Sequence, residues 1–283
     1  MIIAKQFRNL PIHLTLIVAI IVFAFPVYLA LIGSTWDAGT IGRGQMPLVP
    51  GPNGLDNYLN ALTTGQGGRV RGVAVQLLLW NSFQMAIVIT FGKIVISILS
   101  AYAVAFFKFP LRTFFFWMIF ITLMLPIEVR IAPTYKVMSD LNLINTFAGL
   151  TIPLMASATG TLLFRQFFLT IPDELVEAAK IDGAGPLRFF WSIAFPLSRT
   201  NIAALFVILF IYGWNQYLWP LLVTTGRDME TIVIGIVKMM GTGEAQTDWN
   251  IIMASTVFAL LPPVAIVILM QQWFVKGLVQ TEK

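Results

Sequence analysis

Six long apolar segments constrain the fold of this chain more than any other feature of its sequence. They span residues 13–32, 82–106, 113–132, 148–167, 201–223 and 251–274. At a rise of about 1.5 Å per residue, each segment can cross roughly 30 Å of hydrocarbon as a helix. Because backbone polar groups in lipid must be satisfied within the spanning structure, we expect an all-α membrane protein with six transmembrane helices.

The composition agrees with a membrane protein and predicts one unit. Hydrophobic residues make up 58% of the chain and charged residues 11%, far below the roughly 25% charged content of soluble domains. We expect a single domain over residues 1–283, with an outer loop at 33–80 and a five-span core at about 82–274.

The first apolar segment is too long for a typical signal peptide and is interpreted as an uncleaved span. The outer loop, rich in Gly and Pro, is predicted to be irregular or only briefly helical. It serves either to meet an external partner or as a loosely ordered connector.

Several kinds of chemistry are excluded by residue counts. The absence of cysteine excludes disulfides and thiolate sites, and the single histidine, His13, excludes a multi-histidine metal site. A phosphate-cradling G-x-x-x-x-G-K-[ST] loop is also missing, because Gly92-Lys93 lacks the preceding glycine and the following hydroxyl residue. The net charge of +5 is interpreted as a membrane-orientation signal and not as a nucleic-acid-binding surface.

The distribution of basic residues predicts the orientation. Six crossings put both termini on one side, and the segments on that side hold ten of the 18 lysines and arginines. Segments on the other side hold seven over a longer total length, and Lys93 lies within a span. Since cytoplasmic segments are the more densely basic, both termini and residues 173–197 are predicted to be cytoplasmic.

Residues 173–197, which we call the insert, are too polar and too broken to cross a bilayer. Pro172 suits the first position of a helix, where a missing amide proton costs nothing. Asp173, Glu174 and Glu177 place negative charge near the positive end of that helix. A first short helix is therefore predicted to begin here.

The middle of the insert predicts a turn and a second helix. Gly183 and Gly185 supply the left-handed or otherwise strained backbone that ends a helix, and Pro186 starts another. Ala178 and Ala179 form a small, flat patch that lets another protein approach the backbone closely. We therefore expect either a partner-docking helix–turn–helix or, for a generic membrane protein, an ordinary loop packed on its own bundle.

The insert resembles the EAA loop of permease subunits in bacterial ABC importers. The resemblance rests on Glu177-Ala178-Ala179, Asp182-Gly183-Ala184, Ile193 and Pro196-Leu197, at matching spacing between two spans. It implies a type I ABC importer permease fold with a cytoplasmic EAA coupling loop. The residues it implies for docking on an ATPase are Glu177, Ala178, Ala179, Asp182 and Gly183.

Residues 114–130, 164–168 and 212–222 extend the resemblance over nearly the whole chain, to carbohydrate-type ABC importer permeases. Within that family the chain most resembles the permease subunits of sn-glycerol-3-phosphate importers. This implies a bacterial inner-membrane protein that works with a second permease subunit, an ATPase dimer carrying ATP and Mg, and an external substrate-binding protein. The chain itself is expected to bind no cofactor and to catalyse no reaction.

Three charged residues within the predicted spans require an explanation, because charge in hydrocarbon is costly. Measured as straight helices from the cytoplasmic ends, Lys93 and Glu128 lie about 20 and about 22 Å deep, so an ion pair between them is one hypothesis. Arg130 projects about 200° away from Glu128 on a helix, so Glu128 does not neutralise it there. One alternative is that Arg130 simply reaches the outer interface, since Pro126 and Pro133 loosen that end of the span. The second hypothesis is that Arg130, with Lys93, provides a favourable field for a transported anion, since guanidinium binds phosphate well.

The end of the fifth span offers another candidate substrate path. Asn215 and Gln216 lie among aromatic residues, a combination that suits the hydroxyls of polyols and sugars. An interfacial aromatic belt explains the same pattern equally well. Residues 156–161 in the fourth span are rich in small side chains and are predicted to support close helix packing.

The resemblance implies glycerol-3-phosphate import by alternating access as the expected function. A permease for a neutral sugar or oligosaccharide in the same family is the first alternative. A second alternative is an ATP-independent secondary transporter, which the EAA loop disfavours. A third is a membrane-embedded enzyme, which the lack of a catalytic constellation disfavours.

Overall fold

A computed structural model describes residues 10–65, 73–122, 125–240 and 247–279, with backbone only for Leu10, Ile127, Glu128 and 274–279. Its regular elements are helical, and no strand occurs within these ranges. The chain divides into two compact units, one of Met1–Leu79 with Ile232–Leu261 and one of Trp80–Thr231 with Pro262–Lys283. That the whole chain forms one permease domain stays a prediction.

The first unit contains the first span and most of the outer loop. Its helices are α1 (Leu10–Gly33), α2 (Ala38–Gly42), α3 (Gly54–Thr63), the start of α4 (Val75–Phe106), α14 (Ile232–Met239) and the first part of α15 (Trp249–Val279). The predicted outer loop thus holds two short helices, and its last residues already belong to α4. The carboxylate of Asp37 caps α2 by accepting from the Thr40 hydroxyl and amide, which lowers the pKa of Asp37 below its usual value.

A buried amide organises this first unit. The side chain of Asn57, on α3, donates to the Ser34 carbonyl at 2.9 Å and to the Trp36 carbonyl at 2.8 Å. Its own carbonyl accepts from the Asn250 side chain at 2.8 Å. Because a buried amide is costly unless its groups are bonded, these contacts hold α3 against the end of α1 and the start of α15. In the described part of the outer loop, residues 34–36 and α3 therefore pack together at Asn57.

The second unit contains the remaining helices. They are α5 (Arg112–Ile121), α6 (Ile127–Asp140), α7 (Phe147–Thr151), α8 (Ala158–Phe168), α9 (Asp173–Ile181), α10 (Pro186–Phe189), α11 (Phe195–Leu197), α12 (Arg199–Trp214) and α13 (Leu218–Val223), with the rest of α4 and α15. Short 3₁₀ turns occur at Ile152–Leu154 and Arg227–Met229, and a π-helical turn at Phe190–Ala194 joins α10 to α11. The largest apolar cluster of this unit joins α4, α8, α12 and the insert.

The predicted spans are only partly continuous helices. By length and composition, Pro11–Gly33, Val75–Phe106 and Trp249–Trp273 are long enough to cross a membrane unbroken, and they match the first, second and sixth segments. The fourth segment bends by 44° between Phe147–Leu154 and Ala158–Phe168. The fifth is helical only to Trp214 before α13 begins, and α12 meets the helix Pro186–Leu197 at 69°.

The prediction of a continuous third span at 113–132 is wrong. Helix α5 ends at Ile121, and α6 begins at Ile127 with Pro126 in extended backbone at its N-cap. A proline disfavours helical backbone in the residue before it, which accounts for a break at this point. Depths counted along a straight helix from Thr113 therefore do not apply to Glu128 or Arg130.

Small residues in the fourth segment do support close packing. A Cβ atom added to Gly160 would lie 2.6 Å from the Ser97 hydroxyl on α4. The Ser97 hydroxyl donates to the Ser157 carbonyl at 3.1 Å. Helices α4 and α8 thus approach closely at Gly160, as the sequence predicts.

Candidate functional site

The insert begins with the predicted helix, displaced by one residue. Helix α9 starts at Asp173, so Pro172 is the N-cap residue and not the first helical residue. Asp173 and Glu174 occupy the first turn and Lys180 the last, which complements the helix dipole at both ends. Glu177 is exposed on this helix, where a partner can reach it.

A left-handed glycine closes α9. Gly183 has φ +71°, and the Ala184 amide donates back to the Ala179 carbonyl at 2.8 Å. A Cβ atom on Gly183 would meet nothing within 4 Å, so its backbone conformation alone accounts for glycine there. The prediction for Gly185 is wrong, because its φ of −68° and ψ of 167° are extended backbone that caps α10.

The second half of the insert is fastened to the C-terminal end of α4. Phe190 lies 5.0 Å from Tyr102 between ring centroids, and Phe189 lies 5.2 Å from Phe106. The Tyr102 hydroxyl donates to the Pro186 carbonyl at 2.7 Å. These contacts bury both phenylalanines and join the insert to the end of α4.

The predicted flat alanine patch is half wrong. Ala179 is 6% exposed and belongs to the apolar cluster beneath the insert, whereas Ala178 is exposed. Successive helical residues differ by about 100° in direction, and in this helix that difference places Ala178 on the exposed side and Ala179 against the bundle. Exposed apolar side chains complete the outer surface instead, with Ile181 at 86%, Leu187 at 75% and Trp191 at 61%. Hydrophobic exposure of this size on a polar segment is typical of an interaction surface.

Lys93 lies near the middle of α4 and is 6% exposed. Its ammonium nitrogen donates to the Ala156 carbonyl at 3.3 Å and lies 4.3 Å from the centroid of the Tyr212 ring. A charged lysine at the centre of a membrane helix is unfavourable by about 2.5–3.5 kcal/mol on insertion scales. The carbonyl and the aromatic face offset part of that penalty.

The Ala156 carbonyl is available because the fourth segment is not a continuous helix. The 3₁₀ turn ends at Leu154, and α8 begins at Ala158 with Ser157 as its N-cap, whose hydroxyl accepts from the Gly160 amide at 3.2 Å. Non-helical backbone at membrane depth is tolerated where it is buried or lines a cavity. Hydropathy did not reveal this break, although Pro153 and the capping residue Ser157 are visible signals of it.

Lys93 and Arg130 line one cavity of about 150 Å³ in the second unit. Arg130 lies in the first turn of α6, which also carries Thr134 into the lining. The complete lining is Lys93, Arg130, Ile131, Thr134, Pro153, Leu154, Ala156, Tyr212 and Trp219. No carboxylate belongs to this set among the side chains that the structure describes. The Glu128 side chain, and with it the predicted Lys93–Glu128 pair, lies outside the described residues.

The polar pair at the end of the fifth segment does not reach this cavity. Asn215 is the exposed C-cap of α12, and the Gln216 side chain donates to the Tyr212 carbonyl at 3.0 Å. The neighbouring aromatics line it instead, and the Trp219 indole donates to the Gly149 carbonyl at 3.2 Å. Asn215 and Gln216 lie beyond Trp214, where α12 ends, so helical spacing from Tyr212 does not predict their directions.

Comparison with known proteins agrees with this architecture. Residues 93–280 match the family model described as binding-protein-dependent transport system inner membrane component. The chain is 62% identical over 279 residues to the sn-glycerol-3-phosphate transport system permease protein UgpE of Rhizobium meliloti, covering 99% of each chain. It is 59% identical over the same length and coverage to the protein of that name from Brucella melitensis, and 55% identical over 271 residues, 96% of each chain, to that from Yersinia pestis.

A solved structure shares the fold. It belongs to a bacterial ABC transporter involved in the import of the acidic polysaccharide alginate, with a TM-score of 0.81 and 18% sequence identity. The match covers 96% of this chain and 98% of the other, so the ABC importer permease fold expected from the sequence is confirmed. The helices, the family match over two thirds of the chain and the full-length relatives agree: the chain belongs to the binding-protein-dependent transport system inner membrane components.

Proposed function

We propose that this chain is an inner-membrane permease subunit that translocates sn-glycerol-3-phosphate by alternating access. The observation that carries the proposal is the identity of 55–62% over at least 96% of the chain to permeases named for that substrate. The cavity supports it, since Lys93 and Arg130 suit an anion better than a neutral sugar. A neutral sugar would leave both cations without a charged ligand.

The partners proposed are a second permease subunit, an ATPase dimer that binds ATP and Mg, and an external substrate-binding protein. The family description, which names a binding-protein-dependent system, supports this assembly. We place both termini and the insert in the cytoplasm, in keeping with the denser basic charge of those segments. This chain binds no cofactor in the proposal, and ATP hydrolysis takes place on the ATPase.

In this proposal the insert receives motion from the ATPase. Glu177, Ala178, Asp182 and Gly183 are exposed and meet the partner, together with Ile181 and Leu187. Ala179 acts differently from the expectation, as an inner contact between the insert and the bundle.

Helix α4 provides the route from the insert to the cavity. Tyr102, which contacts the insert, lies nine residues from Lys93, or roughly 14 Å along the same helix. Helix α8 packs into the cluster under the insert at Phe168 and begins beside the Ala156 carbonyl. Movement of the insert therefore reaches the cavity through two helices.

The test is transport by the complete system in vesicles. We expect ATP-dependent uptake of sn-glycerol-3-phosphate that vanadate inhibits, and no comparable uptake of neutral maltose. Glu177→Lys and Gly183→Asp should preserve membrane insertion and reduce uptake at least tenfold at equal expression. Asp56→Lys is the control for Glu177→Lys, because it reverses the charge of an exposed acidic residue on α3. It should keep the coupling between ATP hydrolysis and uptake. Vanadate-insensitive uptake, or normal uptake by both insert variants, would contradict the proposal.

A further inference from the structure

The two cations of the cavity have hydrogen-bonding capacity that the described protein does not use. An ammonium group has three N–H donors, and the described residues supply Lys93 with one acceptor, the Ala156 carbonyl. Arg130 has five donors, and its described hydrogen bond is the one its backbone carbonyl accepts from the Thr134 hydroxyl. The salt bridge recorded among the described side chains is elsewhere, between Lys136 and Asp140.

The other walls of the cavity supply little competing polarity. The Trp219 indole and the Thr134 hydroxyl already donate to backbone carbonyls, and the remaining side chains are apolar apart from the phenol of Tyr212. The volume of about 150 Å³ is several times the ~30 Å³ that one water molecule occupies in the liquid. This volume is large enough for a tetrahedral phosphoryl group in the cavity that the two cations line.

We infer that this cavity binds the phosphoryl group of the transported substrate within this subunit, with Lys93 and Arg130 as its ligands. The inference rests on the proposed function and adds the position and the charge class of the bound group. Two cations favour a phosphate monoester dianion over a singly charged diester, and they give no preference to a neutral polyol. Lys93 exchanges the Tyr212 face for a phosphate oxygen, and Arg130 supplies a planar pair of donors.

Glu128 is the one charged side chain near Arg130 in sequence that the structure does not describe, and it defines the rival explanation. If Glu128 neutralises Lys93, removing the lysine leaves an unpaired carboxylate, and removing both charges restores function. If the cations bind phosphate, removing Glu128 as well cannot restore the lost ligand. A double-substitution cycle separates these two cases.

The experiment uses the complete transporter with its ATPase and loaded binding protein in vesicles. Lys93→Met and Arg130→Gln should each lower glycerol-3-phosphate uptake per ATP hydrolysed at least tenfold, and adding Glu128→Gln to Lys93→Met should not restore it. Arg130→Lys should retain more uptake than Arg130→Gln, because it keeps the charge. Lys136→Met removes an exposed cation from the same helix and should behave like the parent. Recovery of Lys93→Met to within twofold of the parent by Glu128→Gln, or parental uptake in Arg130→Gln, overturns the inference.

A binding measurement keeps the inference separate from the proposed function. Inorganic phosphate is titrated calorimetrically into the transporter without binding protein, with glycerol as the neutral control. We expect saturable heat with phosphate, none with glycerol, and at least a tenfold weaker response in Arg130→Gln, whichever substrate the system imports. A transporter that carries a neutral sugar but binds phosphate at Arg130 would refute only the proposed function. The absence of saturable phosphate heat in the parent refutes the inference.

Discussion

Phe190 tests whether internal packing holds the insert on the bundle independently of the ATPase. Its side chain is 3% exposed and contacts Tyr102 on α4 at 5.0 Å between ring centroids. Replacing a buried phenylalanine by alanine typically costs about 3–5 kcal/mol. Since each 1.4 kcal/mol is a factor of ten, the local opening equilibrium of the insert should rise roughly 10²- to 4 × 10³-fold in Phe190→Ala.

Hydrogen exchange measures this opening directly. Exchange of peptides from residues 173–197 is followed by mass spectrometry in the permease pair purified without ATPase. Leu187→Ala is the matched control, because Leu187 is three residues away in the same helical run and 75% exposed. A surface change of this kind should stay within about 0.5 kcal/mol, or roughly a twofold change in exchange. Equal protection of the insert in Phe190→Ala and the parent would show that the aromatic contacts do not hold it.

Two further predictions concern close contacts in the second unit. Asn145 has φ +57°, and its side-chain oxygen accepts from the Thr225 and Gly226 amides at 3.2 and 3.0 Å. Asn145→Gly removes this oxygen, so hydrogen exchange of those two amides should become faster. Asn145→Ala should destabilise the loop by about 1–2 kcal/mol more than Asn145→Gly, because alanine is strained in left-handed backbone. Equal exchange in both variants and the parent would argue against the cap. Gly160→Ala should lower the free energy of unfolding, measured by thermal denaturation, by about 1–3 kcal/mol because the new Cβ atom meets the Ser97 hydroxyl. Adding Ser97→Gly should recover part of that loss. If it recovers none, the strain lies elsewhere.

The sequence predicts most of the helical content because a long apolar segment in lipid must satisfy its backbone polar groups internally, as a helix does. It does not predict where a span breaks, since a hydropathy average over 20 residues does not register one capping serine or one proline. Hydropathy alone therefore does not predict the breaks at Pro126 and before Ser157, although a proline or a capping serine marks each of them. The first removes the straight-helix depth assumed for Glu128, and the second supplies a hydrogen-bond acceptor for Lys93.

The candidate sites show the same division between residue type and helical phase. Lys93 and Arg130 are identified by charge within apolar segments, and the structure brings them to one cavity. The sequence does not predict that Ala179 faces the bundle or that Asn215 ends a helix. Both depend on which neighbour each helix packs against. Type and spacing cannot assign that direction without the positions of α4 and α12.

The oxygen that accepts the hydrogen bond from Lys93 belongs to the main chain, at Ala156. Alanine scanning changes only side chains, so it leaves this carbonyl oxygen in place. Such a scan will not detect what the carbonyl contributes to the cavity. An ester in place of the amide between Ala156 and Ser157 weakens the carbonyl as an acceptor without altering any side chain. Inserted residues that restore a continuous helix between Leu154 and Ala158 would return the oxygen to helical bonding. Backbone chemistry, and not only side-chain mutagenesis, is therefore needed to map this cavity.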